Sequence, residues 1–280
     1  MRISRLPRRL TCALALSFLL PATGAFALEA DFLQEPSGES PVTASNLATA
    51  RLEYFNWREY DGDTRLLKES GPRLQLGASR RYNREDITFT PHVEGMFGYV
   101  DYDGHTQGGT PVSTDVRYVG FGIGADIGAV YHFVAESQVE PYLGLAWNYW
   151  RRDLRTTPQA TGYLETWDSV FARGGARAEA DLVIGATPVR GYGELGLKLP
   201  LSTYNSAKFP GFGKVNVSPK GNLSLYGSVG IVKGPWRGGL FYDGWRFQAS
   251  DVTPAGGGAF GLMQPKSRAD IFGIEAARAF

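Results

Sequence analysis

The 280-residue chain has one cysteine, three histidines and no excess of either charge: 29 basic residues stand against 28 acidic ones. The single thiol, Cys12, falls in a segment expected to be removed, so no disulfide staples the remaining chain and no thiol chemistry is open to it. His92, His105 and His132 lie 13 and 27 residues apart, a spacing that fits no metal-ligand pattern, and neither a metal nor another cofactor is expected. The even charge balance has no basic stripe, which argues against a nucleic-acid partner. Beyond residue 27 there is no run of about 18 apolar residues, and that excludes a helical membrane span. A mean hydropathy of −0.21 does not exclude a β-barrel, in which only every second residue meets lipid.

The first 27 residues carry a basic front (Arg2, Arg5, Arg8, Arg9), an apolar run from Leu10 to Leu20 and the small-x-small sequence Ala25-Phe26-Ala27. These are the parts of a cleaved secretory signal peptide. Residues 28–49, polar and interrupted by Pro36 and Pro41, read as a periplasmic lead-in. Residues 50–280 form the third region, and there the pattern has a period of two. Glycine is abundant (36 residues), and Phe (16), Tyr (14) and Trp (6) are scattered without clustering. That mixture is expected where strands pack tightly and rings mark the edges of a membrane.

The alternation is clearest from Val116 to Phe133. Val119, Phe121, Ile123, Ala125, Ile127, Ala129, Tyr131 and Phe133 share one face, opposite Tyr118, Gly120, Gly122, Gly124, Asp126, Gly128 and His132. Ile87–Tyr99, Val139–Trp150, Val170–Leu182, Leu195–Leu201 and Leu223–Ile231 repeat it, and 73–81 does so weakly. Segments 51–60 and 237–248 are aromatic-rich with faces that the pattern does not assign, and 267–280 closes the chain. Short connections at 83–85, 136–138, 185–187 and 234–235 alternate with long ones near 61–71, 101–114, 152–164, 203–219 and 249–266. The fold class this implies is all-β: an antiparallel up-and-down transmembrane barrel of about ten strands, with eight or twelve as alternatives. Both ends would be periplasmic, with short periplasmic turns and long extracellular loops.

The final strand ends on Phe280 and carries Arg278, Ala276, Ile274 and Phe272 at alternate positions before it. This resembles the C-terminal signature by which outer-membrane barrels are recognised by the barrel-assembly machinery, with Phe272, Ile274 and Phe280 as the assembly signal. Arg278 departs from the pattern, since an apolar residue is usual there. Over about 50–280 the chain resembles small outer-membrane barrels of the OmpA/OmpX type in architecture. The resemblance implies a bacterial outer-membrane location, with membrane lipid and lipopolysaccharide as neighbours; the external partner is left open.

On the faces expected to point inward lie His92, Glu94, Asp126, Glu140, Arg173, Arg177, Glu179, Asp181, Glu194, Lys198 and Glu275. Charges inside a narrow barrel must pair. The expectation is a mixed-sign network that plugs the lumen of a structural or surface-interaction protein without enzymatic activity. A narrow solute channel lined by the same residues is the alternative. A second alternative is a rim hydrolase. Asp101, Asp103 and His105, with Asp61 and Asp63 nearby, supply acidic residues and a histidine of the kind that omptin-type outer-membrane proteases use, though the strands do not resemble omptins. His92 and Glu94 would serve a lipid-A hydrolase only if lipid reached the lumen.

Overall fold

The computed structural model describes residues 42–106, 108–133, 137–184, 187–210, 213–255 and 260–280. The expected signal peptide and most of the lead-in lie outside the described residues, as do glycines 256–258. Ten long strands account for the wall: β1 (Thr43–Asp61), β2 (Thr64–Arg84), β3 (Ile87–His105), β4 (Pro111–Ala129), β5 (Gln138–Leu154), β6 (Leu164–Ile184), β7 (Thr187–Phe209), β8 (Ser224–Lys233), β9 (Trp236–Phe247) and β10 (Lys266–Ala279). Each pairs antiparallel with its neighbour in sequence. The first and last strands also pair, from Leu47↔Ala279 to Tyr60↔Lys266, and this closes the barrel. Closure leaves no unpaired edge, the condition for a sheet to sit in lipid. The backbones of Asn46 and Phe280 exchange hydrogen bonds of 3.3 and 3.1 Å, so the two ends of the described barrel lie side by side at the same rim, the one with the short turns.

Alternation decides what each wall face meets. Leu52, Leu76, Phe89, Val93, Phe97, Phe121, Ile123, Ile127, Leu143, Leu145, Leu195, Leu197, Val229, Leu240 and Ile274 all point outward and are exposed. A soluble protein rarely exposes an apolar patch beyond a few hundred Å²; here the patch is a continuous belt, so lipid covers it. Ile87 to Tyr99 of β3 spans about 30 Å at a rise of ~3.3 Å per residue and a tilt of ~40°, the thickness of a hydrocarbon core. Rings edge the belt. Tyr54, Tyr99, Trp147 and Tyr149 stand at the outer border, and Tyr131, Phe133, Trp236 and Phe280 at the periplasmic one.

The wall continues above the belt, where the sequence pattern suggests loops. The stretch 61–71 is a two-residue turn, Gly62-Asp63, between two strands, with Gly62 at φ 55°. The stretch 101–114 shrinks to a connection at 106–110, and 152–164 to one at 155–163. Much of 203–219 is the end of β7 paired with a hairpin arm, Gly213–Val217. At the other end, β1 begins at Thr43, inside the stretch expected to be lead-in. The reason for the outer discrepancy is physical. Above the membrane the outside of the wall faces water, so the polarity of the two faces inverts. Asp101, Asp103, Asp115, Arg117 and Asp153 point outward there, while Val100, Tyr102, Val112, Val116 and Tyr118 are buried inside.

The glycine face of β4 makes room for side chains that cross the barrel. A Cβ on Gly128 would stand 2.6 Å from Glu140 Oε1 and 2.9 Å from Thr88 Oγ1. One on Gly124 would stand 2.7 Å from His92 Nε2. Both positions therefore keep the lumen free for its polar network.

Candidate functional site

The interior is layered along the barrel axis. At the periplasmic side the inward-facing charges form a network. Asp126 accepts two hydrogen bonds from Arg173 (2.8 and 2.6 Å) and one from Arg177. Arg177 reaches on to Glu194 (3.2 Å) and Glu140 (3.4 Å), and its guanidinium lies 3.9 Å from the centroid of the Tyr142 ring. Glu140 also accepts from Arg81 Nη1 and Thr88 Oγ1, both at 2.6 Å, and Tyr142 donates to Glu194 at 2.5 Å. Glu275 accepts from Arg51 (3.0 and 2.9 Å) and from Tyr192 (2.7 Å). Lys198 donates to Asp243 at 2.5 Å and sits 3.6 Å from the Trp245 ring centroid. Nearer the periplasmic mouth Arg190 donates to Glu179 at 2.9 Å and lies 3.6 Å from Asp181. His92 and Glu94 line the open cavity of about 310 Å³ beside this network, and His92 Nδ1 is buried without a hydrogen-bond partner. Of the sequence-expected charges, His92, Glu94, Asp126, Arg173, Arg177, Glu179, Glu194 and Glu275 line this cavity, Lys198 lines a smaller one and Glu140 is buried, while Asp181 stands exposed.

Above them the interior turns aromatic. Phe55, Trp57, Tyr118, Trp150, Trp167, Phe171, Trp245 and Phe247 are buried in one cluster contributed by β1, β4, β5, β6 and β9. Trp150 stacks on Trp167 (centroids 5.4 Å apart, planes at 7°), which meets Trp57 edge-on at 5.3 Å. Phe171 meets Trp245 edge-on at 5.0 Å. Offset and edge-to-face pairs of this kind add to the area that they bury.

A second charge cluster rests on the aromatic layer. Arg152 donates to Glu69 (2.7 Å from Nε) and to Glu165 (2.8 Å), with Glu59 at 3.9 Å. Indole N–H groups complete the set: Trp57 donates to Glu59 (2.9 Å) and Trp167 to Glu165 (3.2 Å). Tyr118 donates to Glu69 at 2.5 Å. All four charged side chains are buried. Over this floor opens an outer cavity of about 530 Å³, walled by apolar residues such as Val112, Leu154, Phe209, Val217 and Leu262.

This upper half is missing from the sequence-based expectation. Its signal was present as two short alternating sets, Phe55-x-Trp57-x-Glu59 and Glu165-x-Trp167, in which each carboxylate serves the indole two residues away on the same face. The rim candidates fare differently. Asp101, Asp103 and His105 stand on the outer face of β3, with Asp103 paired to Arg65 at 3.3 Å. Alternate residues of a strand are about 7 Å apart, and among the described residues no hydrogen bond joins His105 to either carboxylate. Phe272, Ile274 and Phe280 point outward to lipid, and Arg278 stacks over the Trp236 ring at 5.5 Å. That contact accounts for a cation in an otherwise apolar series.

No family model matches the chain, and no curated protein matches its sequence. Solved structures match its fold. The outer membrane protease OmpT from Escherichia coli superposes with a TM-score of 0.50 at 9% identity, over 88% of this chain and 99% of that one. The β-domain of the Bordetella autotransporter BrkA gives 0.40 at 12% identity, over 82% and 98% of the two chains. A major outer membrane protein from Thermus thermophilus gives 0.39 at 14%, over 85% and 100%. At such identities the likeness is one of fold alone. Closure, apolar belt and aromatic girdles define the class independently: a ten-stranded β-barrel of the bacterial outer membrane.

Proposed function

We propose that this barrel is a non-conducting, non-enzymatic outer-membrane protein whose role lies at its outer surface, with a lumen plugged by side chains. One observation carries the reading. The periplasmic and outer cavities have no lining residue in common, and the aromatic layer and the Arg152 cluster stand between them. An ion crossing that layer would leave water for a packed apolar section, and isolated charge in such surroundings is very costly. The C-terminal strand serves as the address for assembly, since Phe272, Ile274 and Phe280 face outward and are open to recognition before insertion is complete.

Planar-bilayer recording tests the plug. The unmodified protein is expected to give no discrete conductance steps, and the variant Trp150→Ala/Trp167→Ala, which removes the stacked pair, is expected to give small ones. Steps in the unmodified protein that change on Glu94→Ala or Arg173→Ala would establish the solute channel instead.

A further inference from the structure

Four basic residues stand in one hydrogen-bonded row across the outside of the wall. Lys68 of β2 is the register partner of Arg58 of β1, Arg58 that of Arg268 of β10, and Arg268 that of Arg246 of β9. Neighbouring strands lie about 4.8 Å apart, so the four positions occupy a strip about 14 Å wide. Like charges directly opposite on paired strands destabilise a sheet, and carboxylates do little to relieve these. Asp270 binds Arg246 at 2.6 Å, and Asp103, beside Lys68 in register, is taken by Arg65. Among the described residues Lys68, Arg58 and Arg268 have no ion-pair partner, and the Nε of Arg268 is buried without an acceptor. On the β4–β5 side of the barrel, by contrast, Arg117 is paired with Asp153 at 3.0 Å and Arg155 with Asp115 at 3.1 Å.

The height of the row decides what fills it. Four residues below Arg58 and Arg268 on the same outer face are Tyr54 and Phe272, whose rings meet at 5.4 Å, and below them the lipid-facing Leu52 and Ile274. The row therefore lies just above the aromatic girdle, at the level of lipid headgroups in the outer leaflet. Tyr60, two residues above Arg58, lies under the Arg268 guanidinium at 5.0 Å. Guanidinium groups bind phosphate with two parallel N–H donors, and an apolar wall directly beneath holds acyl chains.

We infer that the outer face of β2–β1–β10–β9 is a binding site for a phosphorylated glycolipid of the outer leaflet, its phosphates on Lys68, Arg58 and Arg268 and its acyl chains along Leu52, Ile274 and Leu76. The site is independent of whether the lumen conducts. Bound phosphate offsets the mutual repulsion of the row, which explains why three unpaired cations are kept side by side. It also ties the first and last strands to one ligand across the closing seam of the barrel.

Native mass spectrometry of the purified protein tests this with three probes: bis-phosphorylated lipid A, lipid A stripped of both phosphates, and inorganic phosphate. The phosphorylated lipid is expected to bind at least tenfold more tightly than the stripped form. The variant Lys68→Gln/Arg58→Gln/Arg268→Gln is expected to lose that preference, while Arg117→Gln/Arg155→Gln on the other side keeps it. Folding of each variant is read from heat-modifiable migration on gels. Because the substitutions remove like-charge neighbours, the triple variant is expected to stay folded and, without lipid, to be no less stable than its parent. Equal binding of the two lipids, undiminished binding by the folded triple variant, or displacement of the lipid by millimolar inorganic phosphate would each overturn the inference.

Discussion

Replacing Arg152 by Met tests the outer half of the lumen most directly. The guanidinium is the only cation within 4.0 Å of Glu69 and Glu165 among the described residues, and it lies 3.9 Å from Glu59. Removing one partner from a buried ion pair costs about 3–5 kcal/mol, because the other charge stays behind without compensation. Met roughly conserves the apolar volume, so that figure applies with little added for a cavity. The loss corresponds to a factor of roughly 10²–10⁴ in the folding equilibrium at 1.4 kcal/mol per decade. It must also depend on pH. Glu59 lies above the lipid belt, level with the outward-facing Arg58 and Tyr60, and burial pushes its carboxyl up, with Glu165 adding to the rise against the pull of Arg152. A raised folded-state value means that the ionised carboxylate works against the fold. Stability is full at low pH and falls as pH rises through the folded value. Without the pull of Arg152 the Glu59 carboxyl rises further, so the penalty shrinks as pH falls. Urea unfolding of barrels refolded into lipid vesicles, followed by tryptophan fluorescence at pH 8 and pH 5, reads both effects. Adding Glu69→Gln and Glu165→Gln to Arg152→Met should restore most of the loss. A cost below about 1 kcal/mol, or one that is the same at both pH values, would show that water screens the cluster and that the layer beneath is not dry.

Two further expectations concern the wall. Ile123→Arg, in the middle of the lipid belt, should cost about 2–4 kcal/mol, whereas Ser113→Arg on the same outer face of β4 above the belt should cost almost nothing; equal effects in vesicle unfolding would displace the belt. Phe280→Ala should slow the appearance of the heat-modifiable, outer-membrane form in a pulse–chase experiment while leaving urea stability within about 0.5 kcal/mol; unchanged assembly kinetics would remove its role as an address.

How far the sequence could be read depended on which solvent faced the wall. In the lipid belt one face of every strand must be apolar and the other meets a polar lumen, so the run from Val119 to Ala129 announces both the strand and its orientation, although the strand breaks at Val130, short of the expected Phe133. The same logic places His92, Glu94, Asp126, Glu140, Arg173, Arg177, Glu194, Lys198 and Glu275 inside, where the structure has them. Above the belt the rule reverses. Asp101, Asp103 and Asp115 are polar because they face water, and their Asp-Gly-rich surroundings look like turns although they are wall. The count of ten survives this error, because hairpins are numbered by their reversals and not by the length of their strands.

The segments whose faces could not be assigned cross from one regime to the other. In β1, Leu52 and Tyr54 face lipid, Arg58 faces water, and Phe55, Trp57 and Glu59 fill the lumen, so neither alternate set is uniformly polar or apolar. In β9 the same crossing runs from Leu240, which faces lipid, to Arg246 on the outside and Trp245 and Phe247 within. A single hydrophobic face cannot be drawn for a strand that changes solvent along its length. The residues of greatest functional interest, the indole–carboxylate floor and the basic row, lie at that crossing. The basic row has a further reason to be invisible in sequence: Lys68, Arg58, Arg268 and Arg246 come from four strands, two at each end of the chain, and only the closing register Arg58↔Arg268 sets them side by side.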